Sequence, residues 1–325
     1  MENPRLQQVE NVREQTVDLS RLTVHVVGEK TLNTYYEKKA AKTMDPEKWY
    51  KKNHRALENE KIFLEKMVTD GILSDLKPES LCRFIQGKIE TEKADVKRLR
   101  IAIRQRSPEM LNAAASRLSE FIPPWNLDEG TVNFTLDDRA DFRVDGTKIT
   151  ADMGRLTRAK DWFETTVEGI AHESFHIWMQ EGDGWSDAEQ ESAPLSALIN
   201  HIIFRTVDEG LAVLISRQKL KEHHEKAGRN YSAYIEESFQ AFRDFLHQSK
   251  REIVNEIYVE AFENMGHFYV VGNEMAKALL DTLGGNEFRA LIQTARQDPA
   301  KLIERYITST PKPKLTTEDM TFLKR

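Results

Sequence analysis

Cysteine is almost missing from this sequence: Cys82 is the only one in 325 residues. A single thiol excludes an internal disulfide and any zinc site built on several thiolates. A metal here would have to be held by histidines and carboxylates. Long apolar runs are missing too. No stretch of about 18 apolar residues occurs, the length a membrane-spanning helix needs, and the mean hydropathy is −0.59. No membrane partner is expected. The N-terminal MENPRLQQVENVREQ has no hydrophobic segment of the signal-peptide kind, so a cytoplasmic location is expected. Basic charge is not in excess either. Lys and Arg number 47 against 53 Asp and Glu, a net charge of −6. A protein holding nucleic acid by charge would be strongly basic, so no nucleic-acid partner is expected. The one basic stretch, Lys88 to Arg106, is interleaved with Glu90, Glu92 and Asp95, the pattern of a solvated helix face.

Glycine and proline are scarce between Thr31 and Phe121, and helix formers are plentiful. Residues 1–122 therefore read as an N-terminal helical region. Breaks are expected at Asp45-Pro46, at Thr69-Asp70-Gly71, near Pro78 and near Pro108. Pro123-Pro124 marks a boundary. Beyond it Val132, Phe134 and Leu136 alternate with Thr131, Asn133 and Thr135, the period of a half-buried strand. Asp145-Gly146 lies between Asp141–Val144 and Thr147–Ala151, a hairpin turn signal. Helical periodicity then returns. Asp161 and Glu164 have capping-box spacing for a helix running to about Gln180, stopped by Gly182 and Gly184. Ser192 and Pro194 open another, to about Arg217, and helices follow near 231–261, 269–283, 286–295 and 299–307. The fold class expected is mainly α (α+β), with a small, mostly antiparallel sheet. The division expected is 1–122 helical, 123–310 core and 311–325 polar tail.

Within the helix ending near Gln180 stands His172-Glu173-Ser174-Phe175-His176. Residues four apart on a helix differ by about 400° and about 6 Å of rise, so both imidazoles leave one face, one turn apart. They can ligate one ion, and Glu173 beside them can reach a water without being a ligand. The flanking Ile170, Ala171, Ser174, Phe175, Ile177 and Trp178 are uncharged, as on a helix buried at the floor of a cleft. A catalytic zinc takes three protein ligands and keeps one position open. Glu209 fits the third place. It shares a helical face with Leu195, Leu198 and Ile202, and a carboxylate on a core-facing stripe needs a partner. Pairing with Arg205, one turn back, is the alternative use of Glu209. His201 and Glu191 are weaker alternatives as ligand. Gly210 would let the motif helix approach closely.

His172-Glu173-x-x-His176 followed by Asp208-Glu209-Gly210-Leu211-Ala212 resembles the gluzincin metallopeptidases, which hold zinc by two histidines and a downstream glutamate. A third element, Gly266-x-x-Tyr269-x-x-Gly272-x-x-Met275-Ala276, is similar to that of a largely uncharacterised family of bacterial zinc-dependent peptidases. The resemblance covers about 130 to 310. It implies a zincin-like core, Zn2+ as cofactor, and hydrolysis of a peptide or protein substrate; the alternatives are a non-proteolytic zinc hydrolase and a zincin-like binding module or helical interaction protein without turnover. Substrate would lie along an edge strand from between 131 and 152. The catalytic residues implied are Glu173 as general base, with the Tyr269 hydroxyl or His267 stabilising the oxyanion. The implied metal ligands are His172, His176 and Glu209. His223-His224 reads as solvated surface rather than a second metal site. The N-terminal helices could hold a protein partner.

Overall fold

The computed structural model describes residues 16–59, 61–127, 129–136, 141–180, 194–248, 250–262 and 265–320. Among the described residues the first strand is β1 (Thr23–Val26), followed by three helices, α1 (Glu29–Ala41), α2 (Pro46–Asn59) and α3 (Lys61–Thr69). A long helix, α4 (Pro78–Ser119), returns to the body of the molecule. Strands β2 (Thr131–Thr135), β3 (Phe142–Asp145) and β4 (Lys148–Asp152) follow, then a single turn, α5 (Met153–Leu156). The remainder is helical: α6 (Trp162–Gln180), α7 (Leu195–Ser216), α8 (Leu220–Lys226), α9 (Tyr231–Leu246) and α10 (Arg251–Phe262) come first. Then come α11 (His267–Leu283), α12 (Gly285–Gln297), α13 (Ala300–Ser309) and α14 (Thr317–Met320). The class is mainly helical with a small sheet, as expected.

The sheet departs from expectation in direction. Its order is β1-β2-β4-β3, and β1 and β4 both run parallel to β2. Only the β3–β4 hairpin is antiparallel, turning at Gly146 with φ +57°. The sheet is therefore mixed rather than mostly antiparallel. Two pairings make it so: β2 with β4, and β2 with β1, a strand that comes from the region read as helical. Its Thr-Val-His-Val alternation is a strand period, and it pairs Thr23 with Thr131 and Val26 with Phe134. A second difference lies at Pro108, which sits inside α4 without ending it. Proline removes its own N–H, but the helix can bridge one missing bond when tertiary packing holds both sides. Met110, Leu111 and Ala114 beyond it are buried in the same core as Ile103 before it. A third is the stretch near 231–261, which is two helices, α9 and α10, rather than one.

Core residues come from both sides of Pro123-Pro124. Val96, Ile103 and Leu118 of α4 join Val132, Ile170 and Phe175 in one cluster. Two arginine side chains tie the halves by donating to backbone carbonyls. Arg117 donates to the Ser216 carbonyl at 2.6 Å and pairs with Glu164, and Arg289 donates to the Glu120 carbonyl at 2.9 Å. Leu64, Met67, Leu73 and Leu81 form a separate small cluster where α3 meets the start of α4. After Pro311 the chain docks rather than trailing away. Leu315 is fully buried, and Arg243 donates to the Lys314 carbonyl at 2.6 Å. Among the described residues no helix is long and apolar enough to cross a membrane.

Candidate metal centre

Asp161 starts the central helix. Its carboxylate accepts from the N–H groups of Phe163 and Glu164, each at 3.1 Å, satisfying donors that a helix start leaves unpaired. Every residue from Ile170 to Met179 is buried, so α6 runs through the interior rather than over it. The stops read at Gly182 and Gly184, and Ser192 and Glu191, lie outside the described residues. Helix α7 is buried without interruption from Thr206 to Val213 and packs against α6. Helix α11 packs against α7. A Cβ on Gly272 would lie 2.0 Å from the Thr206 carbonyl oxygen, and one on Gly210 would lie 2.1 Å from the Gly272 backbone. Gly210 thus serves a close approach, but to α11 and not to the motif helix. The close approach on α6 is at Gly169, where the Phe142 ring of β3 fills the space of a side chain.

These contacts bring three ligand atoms together. The Nε2 atoms of His172 and His176 lie 3.0 Å apart. Glu209 Oε2 lies 3.3 Å from the first and 3.2 Å from the second. At zinc–ligand lengths of about 2.0–2.1 Å, tetrahedral ligand atoms are about 3.4 Å apart, close to the edges of this triangle. Glu209 Oε2 is buried and has no hydrogen-bond donor among the described residues, as suits an atom aimed at a cation. The other oxygen, Oε1, accepts from Arg205. The pairing with Arg205 foreseen for Glu209 is present, and it uses one oxygen and leaves the other facing the two histidines. Among the described residues this is the group of histidines and carboxylates able to hold a metal.

The surroundings set the charges. Burial disfavours a charged His176, but Asp208 and Glu209 outweigh it and hold the imidazole well above its usual range. Burial likewise opposes ionisation of Glu209, and His176, Arg205 and His172 overcome it, holding the carboxyl well below the usual range. Glu173 goes the other way. Burial raises its pKa, the histidines pull it down, and Glu209 and Asp208 push it up again, for a net rise. Asp208 is the residue that motif reading passed over. It is fully buried, with Oδ1 2.9 Å from His176 Nδ1. A carboxylate on the far nitrogen of a ligating histidine fixes its tautomer and ring orientation. Its place one residue before Glu209 was the available signal.

Tyr269 is brought to this group. Phe242, Phe245 and Phe262 surround Phe268 at ring separations of 5.0–5.7 Å and anchor the start of α11. Tyr269 then stands beside Glu209, and burial followed by that carboxylate raises its hydroxyl pKa far above the ordinary value. His267 is not brought there. It stacks on Tyr234 and its Nδ1 lies 2.9 Å from Ser238 Oγ. His201 is half-buried near Tyr258. His223 is exposed as expected, but His224 is fully buried. The short helix α8 turns it inward against Tyr231 and Tyr234.

The sequence profile of the family described as "putative zinc dependent peptidase (DUF5700)" matches residues 35–314. The chain belongs to that family. No curated protein and no solved structure matches it. A zinc-dependent family fits what the fold presents: a buried His-His-Glu group with tetrahedral spacing and an ionised carboxylate. The family match also includes the second half of α1 and all of α2 to α4, so the family extends beyond the motif-bearing half.

Proposed function

We propose that this protein hydrolyses peptide bonds with zinc held by His172, His176 and Glu209. The observation that carries the proposal is the buried triangle of two Nε2 atoms and one Oε2 within 3.3 Å of one another, with Glu173 on the same helix. A bound zinc ion supplies Lewis-acid polarisation of a carbonyl and makes a water more acidic. The remaining work falls to the chain. Glu173 takes a proton from the attacking water and delivers it to the leaving amine. Its raised pKa makes it the readier acceptor of the water proton. Tyr269 keeps its phenolic proton and donates a hydrogen bond to the oxyanion that develops on the scissile carbonyl. His267, held by Ser238 and Tyr234, is the weaker choice for that donor. Asp208 keeps His176 oriented.

A peptide substrate is favoured by the sheet. β3 is an edge strand, and its Phe142 lies against Gly169, one turn before His172. An extended substrate can add to that edge by backbone pairing, beside the ligands. The test is Glu173→Gln in the full chain, with zinc content and thermal melting measured beside a peptide-library digest. Turnover should fall by about 10²–10⁴-fold, with zinc content and melting retained. Full activity in that variant would overturn the proposal.

A further inference from the structure

A cleft of about 560 Å³ lies beside the first turn of the same helix, apart from the metal centre. Asp141, Arg155, Arg158 and Thr165 line it. Thr165 precedes His172 by seven residues on α6. Seven residues return to within about 20° of the same face and rise about 10 Å, so Thr165 and His172 share a face. Gly169 lies between them under Phe142, and Asp141 immediately precedes Phe142. The Asp141 carbonyl accepts from the Asp152 N–H at 3.0 Å, which holds the head of β3 in the sheet. The cleft thus sits at the head of the edge strand, two helical turns from the first histidine. An extended chain covers that distance in about three residues, at about 3.3 Å each.

Its lining carries two guanidinium groups and one carboxylate. Arg155 pairs with Asp141 at 2.9 Å. Arg158 is held at its root, where Nε donates to the Gly154 carbonyl at 3.1 Å. Among the described residues no carboxylate pairs with its terminal nitrogens, and the side chain is exposed to the cleft. A guanidinium with free terminal N–H groups matches a carboxylate through two parallel hydrogen bonds.

We infer that this cleft is a subsite for a substrate carboxylate about three residues from the scissile bond, with Arg158 as the group that reads it. The inference rests on the peptide-hydrolysis reading. The carboxylate comes from an Asp or Glu side chain or from the end of the substrate chain. Two arms separate these sources. In the first, acetylated and amidated neutral nonapeptides carry a single Glu or Gln, moved through every position. In the second, the same neutral peptides keep a free C-terminus. With the zinc-loaded full chain, kcat/KM should favour Glu over Gln, or the free over the amidated terminus, by about 10- to 100-fold, as charge-assisted hydrogen bonds give. The preference should appear at one position two to four residues from the cleaved bond and act through KM. Arg158→Ala and Arg158→Gln should bring the ratio to near 1, while Arg158→Lys keeps part of it. Asp141→Asn should raise it. Binding of the same peptides to Glu173→Gln, followed by fluorescence anisotropy, reads the preference without turnover. Cleavage or binding with no carboxylate preference, or a preference that survives Arg158→Ala, overturns the subsite. Arg158-dependent binding with no cleavage of any peptide by the wild type supports the subsite and overturns the peptidase reading. Neither binding nor cleavage overturns both.

Discussion

At the scale of single residues, the candidate ligands are legible because helix geometry is local. His172, Glu173 and His176 need only one helix to be placed, and Glu209 needed only the apolar stripe before it. What a side chain meets across the interior is not local, and there reading ended. Asp208 behind His176, the split use of Glu209 and the turning of His267 towards Ser238 all depend on how α7 and α11 lie on α6. His224 makes the point most sharply, since its charged neighbours in sequence suggested solvent and the fold buries it. Burial, His223 and Arg229 lower its pKa to about 4. The folded state therefore resists a proton that the unfolded chain accepts near about 6.5. The stability that follows is fully present above about 6.5 and is lost as the pH falls towards about 4. Melting temperatures of the wild type should decline across that window more steeply than those of His224→Phe, which keeps the ring contacts with Tyr231 and Tyr234. Parallel curves would remove His224 as the cause.

At the scale of elements, two glycines on helices carry opposite expectations. Gly272 lies on α11 where it crosses α7, and a side chain there meets the Thr206 backbone. Backbone cannot swing aside as a flexible side chain can. Gly272→Ala should therefore cost at least about 1–3 kcal/mol despite the better helix propensity of alanine. The shift would also carry Tyr269 away from Glu209. Gly87 lies inside α4 with open space where a Cβ would stand. Gly87→Ala should gain about 0.5–1 kcal/mol. Denaturant unfolding of both variants checks the pair, and equal effects would refute the crossing argument. The same crossing gives the reason for Gly272 in Gly266-x-x-Tyr269-x-x-Gly272. Pro108 misled for a related cause, because a proline breaks an isolated helix but not one gripped along its length. β1 escapes sequence reading because four residues make a weak signal beside the long helical stretch that follows.

At the scale of the whole molecule, the break at Pro123-Pro124 is real in composition, yet contacts cross it throughout. β2 has β1 as one of its two neighbours, and α6 rests on α4. A fragment of residues 123–325 would expose the face of α6 that α4 covers and an unpaired edge on β2. It should show no cooperative thermal transition and should bind a hydrophobic dye. A sharp melt in the fragment would establish an independent domain. The pairing of β1 also has a consequence in time. Thr131 lies 108 residues after its partner Thr23. At synthesis rates of about 5–20 residues per second, β1 waits about 5–20 s for β2 to emerge. During that wait three helices and the whole of α4 are made, so β1 joins its sheet only after helices α1 to α4 exist.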